Sequence, residues 1–365
     1  ANYDYSSPTL DVCNVKYNNA FAGGGGISNY YDSSPVVNSC EFKSNTAFEF
    51  GGGMYNYFHS NPSVGNGSTF INNTSFDAGG GMRNYRSSPT LTNCLFVDNS
   101  AATYAGGIDN HESSSPSLFG CSFINNTAEI GGGIANYYDS SPTLENCSFN
   151  HNASIYGGAL FNQSNSSPSL KNCMMIDNTA PLGAGIYARF ASSVYFDETN
   201  VCDALYFSEV GSSIHLAAEA VCTVSGSIVP SATGSITFEL DDLGTAASLR
   251  TESTFLQQGG LGVRNLSNSL MNAQLGDIIP LATTSESLVD FSSMVFPPLP
   301  DGLGLQLIEQ VGVGGKNEIA VEVVQVETSQ FTDPVNEELD STPIDIIDFD
   351  ADGDGLPDMD EMADM

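Results

Sequence analysis

Apolar positions return in the same order about every 27 residues along the first half of the chain. Pro8, Pro35, Pro62, Pro89, Pro116, Pro142 and Pro168 mark the period, at spacings of 27, 27, 27, 27, 26 and 26. Two residues after each proline stands one apolar column: Leu10, Val37, Val64, Leu91, Leu118, Leu144 and Leu170. A second column is Phe42, Phe70, Phe96, Phe123 and Phe149, with Val15 and Met175 at its ends. A third is Ile27, Met54, Met82, Ile108, Ile134, Leu160 and Ile186. Gly-rich turns, Ser-Ser-Pro and asparagines cut the intervening chain into runs too short for amphipathic helices, so the runs read as strands.

A fixed period of this kind signals a solenoid. Stacking equal coils in parallel, about 4.8 Å apart, places like residue above like. Three inward columns then predict a three-faced coil, and the crossover preference makes it right-handed. The expectation is an all-β chain: a right-handed parallel β-helix of about seven 27-residue coils over 1–200, a β-rich cap or small sandwich over 201–326, and an acidic linker over 327–365. In the middle region Ser235–Leu240, Gly260–Arg264 and Glu318–Val326 alternate apolar and polar residues.

One polar column runs through the coils: Asn29, Asn56, Asn84, Asn110, Asn136 and Asn162. Stacked amides donate to and accept from their neighbours and so satisfy one another in a dry interior. The elements Gly131–Ile134, Gly157–Leu160 and Phe-x-x-Asn (Phe42–Asn45, Phe96–Asn99, Phe123–Asn126) resemble the repeats of chlamydial polymorphic outer membrane proteins. They also resemble bacterial secreted β-helix repeat proteins. The resemblance covers roughly residues 1–190. It implies this fold and, for function, adhesion or display at an extracellular or cell-surface location.

Charge narrows the partners. The net charge is -34, of which residues 201–365 carry most. Such a chain repels nucleic acid and anionic lipid. No apolar run approaches a membrane-spanning length, and a monomer is expected. Ala1–Pro8 repeats the text of Ala135–Pro142, so the start reads as a cut edge.

Eight cysteines are present. Cys13, Cys40, Cys94, Cys121, Cys147 and Cys173 share one repeat position, with Ser68 in the remaining coil. Parallel Cβ vectors fit a disulfide dihedral poorly, so a column of buried thiols is favoured over bridges. Cys202 and Cys222 lie outside the column and are left open as a pair.

The tail carries the most specific motif. Asp350-x-Asp352-x-Asp354-Gly355-Leu356-x-Asp358-x-x-Glu361 has the spacing of an EF-hand-type loop, in which alternate carboxylates and the Leu356 carbonyl converge on Ca²⁺ and Glu361 closes bidentate. Asp352–Glu361 also resembles bacterial thrombospondin type 3-like calcium repeats. Those come in arrays, so the chain is expected to be cut at this end too.

Catalysis is the competing reading, since many parallel β-helices cleave polysaccharides. A polysaccharide lyase or glycoside hydrolase needs clustered carboxylates with a base, or an opposed carboxylate pair. Among the basic residues of the coils only Arg83 and Arg86 share one coil, and His59, His111 and His151 fall at different repeat positions, which suggests surface filling. Binding has its own pointer. Tyr3, Tyr30, Tyr57, Tyr85, His111 and Tyr137 follow the Asn column directly. Alternation turns these rings outward, where Tyr30, Tyr57, Tyr85 and Tyr137 are candidates to bind a cell-surface or matrix polysaccharide. The alternative use of the ladder is to stack ring on ring and shield the corner.

Overall fold

The computed structural model describes residues 1–208, 211–229, 235–240, 248–251, 260–265, 278–284, 293–295, 303–311 and 317–325. Residues 1–326 form one compact unit and 327–365 a second; the whole calcium motif lies in the latter, outside the described residues.

Among the described residues every regular element is a strand, and the strands stack into a parallel β-solenoid of roughly nine turns. One sheet opens with Thr9–Asp11 and Val36–Asn38, the second with Asn14–Lys16 and Glu41–Lys43, the third with Ile27–Tyr30 and Met54–Tyr57. Register follows the repeat: Phe42 pairs with Phe70, Phe70 with Phe96, and Met82 with Ile108. No described helix is long and apolar enough to cross a membrane.

The three columns are the core. Val37, Phe42, Met54, Phe96, Ile108 and Phe123 have no exposed surface. Phe42, Phe70, Phe96, Phe123 and Phe149 stack face to face with centroids 4.6 to 4.9 Å apart. Planar rings at the strand spacing keep each other in contact along the whole coil.

Left-handed residues turn each corner. Between the first two sheets Val12, Ser39, Asn66, Asn93, Gly120, Asn146 and Asn172 all have positive φ. After the second sheet Tyr17, Ser44, Asn72, Asp98, Asn125, His151 and Asp177 do the same. This conformation is costly for most L-residues and least so for Asn, Asp and Gly, which accounts for the Asn-rich text at these places. Gly52 has a different reason: a Cβ there would lie 2.5 Å from the carbonyl oxygens of Gly80 and Thr74. Only glycine lets the coils approach so closely.

Two amide ladders run through the interior. Asn29 donates to Asn56 at 2.8 Å, Asn56 to Asn84 at 2.8 Å, and so on to Asn162. Ala188 takes the next place, and the Asn162 side-chain nitrogen is left without a partner. The second ladder runs from Asn18 through Asn45, Asn73, Asn99, Asn126 and Asn152 to Asn178 and ends on Asp203. It sits at the asparagine of the Phe-x-x-Asn motif.

Parallel pairing does not stop at residue 200. Phe196 pairs with Leu216 and Leu216 with Phe238 in the first sheet, and Ser235–Leu240 pairs with Gly260–Asn265. These turns lack the Pro, Asn and Gly text of the earlier ones, so the repeat alone counted about seven coils. The second sheet ends in antiparallel strands, Ile278–Thr284 on Asn317–Gln325 and that on Leu303–Val311.

All eight cysteines are free. In the column the thiols donate to carbonyls of the preceding coil: Cys94 to Val64 at 3.4 Å, Cys173 to Leu144 at 3.3 Å. Contact with Cys121 and burial push the Cys94 thiol up. Cys202 and Cys222 are likewise buried and free. Thiol titration in denaturant without reductant is expected to recover all eight, while in the native protein only Cys13, the one half-buried thiol, reacts quickly. Disulfides between column residues, found by mass spectrometry, would overturn this.

Candidate functional site

Outward-facing side chains of a solenoid strand normally meet solvent. On the third sheet one outward column does not. The outer column in register is Ser28, Tyr55, Arg83, Asp109, Ala135, Phe161 and Tyr187, and each of these is buried. Tyr104, Ile130, Tyr156 and Leu182, from the Gly-rich turns, pack against Ala135, Phe161 and Tyr187 as a second apolar layer outside the main core.

Charged residues interrupt this layer at two adjacent coils. Arg83 is 7% exposed and Asp109 fully buried, with Nη1 and Oδ2 3.3 Å apart. The Arg83 guanidinium lies 4.1 Å from the centre of the Phe50 ring, a cation–π contact strengthened by desolvation. The ion pair lacks hydrogen-bond alignment. Both Asp109 oxygens, Arg83 Nε, His111 Nδ1 and the Tyr137 hydroxyl are buried without a hydrogen-bond partner. Of the eight such side-chain atoms among the described residues, these are five. Buried polar atoms are nearly always satisfied, and each exception costs about 1–3 kcal/mol. Five at one place therefore mark a site and not scattered packing faults.

Arg83, His111 and Tyr137 line a cavity of about 240 Å³, whose wall also includes Asp77, Tyr104, Tyr138 and Arg189; Asp109 is buried against Arg83 and does not reach that wall. Burial raises the Asp109 carboxyl to about 6, opposed by Arg83 and helped by Asp77. Burial, with Arg83, lowers His111 to about 4, so its imidazole is neutral at pH 7. Burial and then Asp109 push the Tyr137 hydroxyl well above the usual phenol range. Arg189 gives its Nε and Nη2 to Gln163 Oε1 at 2.9 and 2.7 Å. At neutral pH the cavity wall thus offers guanidinium groups, a neutral imidazole and phenols, with the Asp77 carboxyl beside them.

The raised Asp109 value makes folding pH-dependent. The folded state holds the proton more tightly than the unfolded chain, whose carboxyl has the ordinary value of 3.8. Stability is therefore full below about pH 4 and falls as pH rises to about 6, by on the order of 3 kcal/mol. Asp109→Asn is expected to remove that slope from urea unfolding midpoints measured between pH 4 and 7. An unchanged slope would place the dependence elsewhere.

The tyrosine ladder has a different geometry. Tyr3 stacks on Tyr30 at 4.9 Å, Tyr57 on Tyr85 at 5.3 Å, and Tyr85 on His111 at 5.6 Å. Tyr30 and Tyr57 are tilted, 5.7 Å apart. Stacked rings turn their faces to one another and present edges and hydroxyls to solvent. Tyr30, Tyr57 and Tyr85 are half-buried, but Tyr137 is only 5% exposed and lines the cavity instead.

Other residues singled out in the sequence separate as well. Arg83 and Arg86 share a coil but not a site: Arg86 is exposed and pairs with Glu112 at 2.7 Å. His59 and His151 are exposed, while His111 lines the cavity and is not surface filling. Asp109 escaped notice because it occupies an ordinary outward strand position. Its signal is the register itself, which sets Arg83 against Asp109 in a column otherwise filled by Ser, Tyr, Ala and Phe.

Fold and site together define a parallel β-solenoid with a lined polar cavity on one outer face. Comparison with protein families agrees on the fold: residues 63–201 match the family described as right handed beta helix region. Those residues include Arg83, Asp109, His111 and Tyr137. A search of curated proteins finds no match.

Proposed function

We propose that this chain is a non-catalytic carbohydrate-binding β-helix, displayed outside the cell as a structural or adhesive module. One observation carries the reading: three side chains with an unsatisfied buried polar atom, Arg83, His111 and Tyr137, line one cavity beside aromatic side chains. A sugar ring supplies hydroxyls that both donate and accept, and C–H faces for the aromatic walls. Tyr137→Phe deletes one hydroxyl and little else. Retention of the protein on at least one member of a panel of insoluble polysaccharides, weakened about fivefold or more by Tyr137→Phe, is expected. No retention on any member, or retention indifferent to this variant, would reject the reading.

Right-handed β-helices include enzymes as well as non-enzymes. A polysaccharide lyase or glycoside hydrolase is favoured by one feature, a carboxyl group, Asp77, on the cavity wall with Arg83 and His111. Release of unsaturated uronides or reducing sugars from the same panel, abolished by Asp77→Asn, would establish that alternative. For the tail we propose Ca²⁺ binding by Asp350, Asp352, Asp354, Leu356, Asp358 and Glu361, on the spacing alone. Calorimetry of the full chain with and without Glu361→Ala tests it at millimolar Ca²⁺.

A further inference from the structure

Tyr138 stands on the walls of two adjoining cavities. One is the 240 Å³ space lined by Arg83, His111 and Tyr137; the other is an open groove of about 540 Å³ that also holds Asn61, Arg86, Glu112 and Asp139. Tyr138 is 48% exposed and meets the His111 ring edge-on at 5.1 Å. Its ring therefore divides the two spaces without closing either. The inner cavity alone is smaller than the roughly 300–1,000 Å³ of ordinary small-molecule sites. With the groove, the space falls inside that range.

Charge limits what the joined space accepts. Arg83 is neutralised by Asp109 and Arg86 by Glu112, and Glu112 also accepts from the Tyr85 hydroxyl at 2.6 Å. The remaining Asp77 and Asp139 outnumber Arg189, and the whole chain carries -34. An anionic ligand would meet a wall of net negative charge inside a negative molecule. A hydroxyl-bearing neutral ligand meets acceptors at Asp77 and Glu112 and donors at Arg83, Arg86 and Tyr137.

We infer that the site is a two-part site for a neutral oligosaccharide, with one ring in the cavity lined by Arg83, His111 and Tyr137 and the following units crossing Tyr138 into the Arg86–Glu112 groove. The inference rests on the carbohydrate-binding reading above and adds the ligand's length and charge. Calorimetric titration of the full chain with neutral gluco-, manno- and xylo-oligosaccharides of one to four units tests it, with oligogalacturonates as the charged comparison. For at least one neutral series, binding is expected to tighten at least about tenfold from one unit to three. Arg86→Ala and Asp139→Ala, both exposed positions on the groove and not on the cavity wall, should reduce that gain to about threefold or less and leave the single-unit affinity unchanged. A gain that survives both variants, or no gain with length, would overturn the groove while leaving the cavity reading intact. Tighter binding of the oligogalacturonates would overturn the charge assignment. Failure of every sugar to bind would overturn the carbohydrate reading itself.

Discussion

Replacing Phe96 by alanine is expected to destabilise the protein by about 3–5 kcal/mol, the range for deleting a buried aromatic ring. Phe96 is fully buried and stacks between Phe70 at 4.6 Å and Phe123 at 4.9 Å. Its loss breaks the column in the middle, and coils of a solenoid are held chiefly by their neighbours. The backbone above and below is pinned by parallel pairing to both adjacent strands, so the void cannot close easily. Phe76, 57% exposed, is the control, with Phe76→Ala expected within about 0.5 kcal/mol. Urea unfolding followed by circular dichroism measures both. A loss below about 1 kcal/mol at Phe96 would contradict the stacked core.

The second large effect belongs to the cavity. Arg83→Ala leaves Asp109 buried with its compensating cation gone, an arrangement that costs about 3–5 kcal/mol. It also uncovers the Phe50 ring. The loss should be greatest above pH 6, where Asp109 would be charged, and should shrink in acid as the carboxyl takes up a proton. The paired change Arg83→Met with Asp109→Leu removes both charges and fills the space with apolar volume. It is expected to regain most of the stability or exceed the parent, since buried ion pairs often exchange for packed apolar groups without loss. Binding of sugar should not return. A double variant that is both stable and fully able to bind would show that the ion pair is structural only.

Much of the fold was legible because a solenoid writes its register into the sequence. Leu118, Phe123, Cys121 and Ile108 stand in the columns that the repeat assigns, and all four are buried. What the repeat could not convey is whatever departs from it. Beyond Phe196 the first column continues at Leu216 and Phe238, at shorter spacings and without Ser-Ser-Pro, so the pairing continues where the text fades. The cavity was hidden for a related reason. Strand alternation assigns Arg83 and Asp109 to the outside, where charge is ordinary. They are buried because Tyr104 and its counterparts on the Gly-rich turns fold over the outer face. That cover comes from another part of the coil, and strand periodicity says nothing about it. The tyrosine ladder was visible as a column, and of its two readings, an outward binding face and rings stacked to shield the corner, the structure shows the stacking.

Everything claimed for the site converges on one location, so the most direct measurement is a crystal structure of the full chain soaked with the neutral trisaccharide that binds best in the titrations. The account predicts a sugar ring in the cavity between Asp77, His111 and Tyr137, with the next unit beside Tyr138. A trisaccharide lying along Tyr3, Tyr30 and Tyr57, with that cavity holding only water, would contradict it.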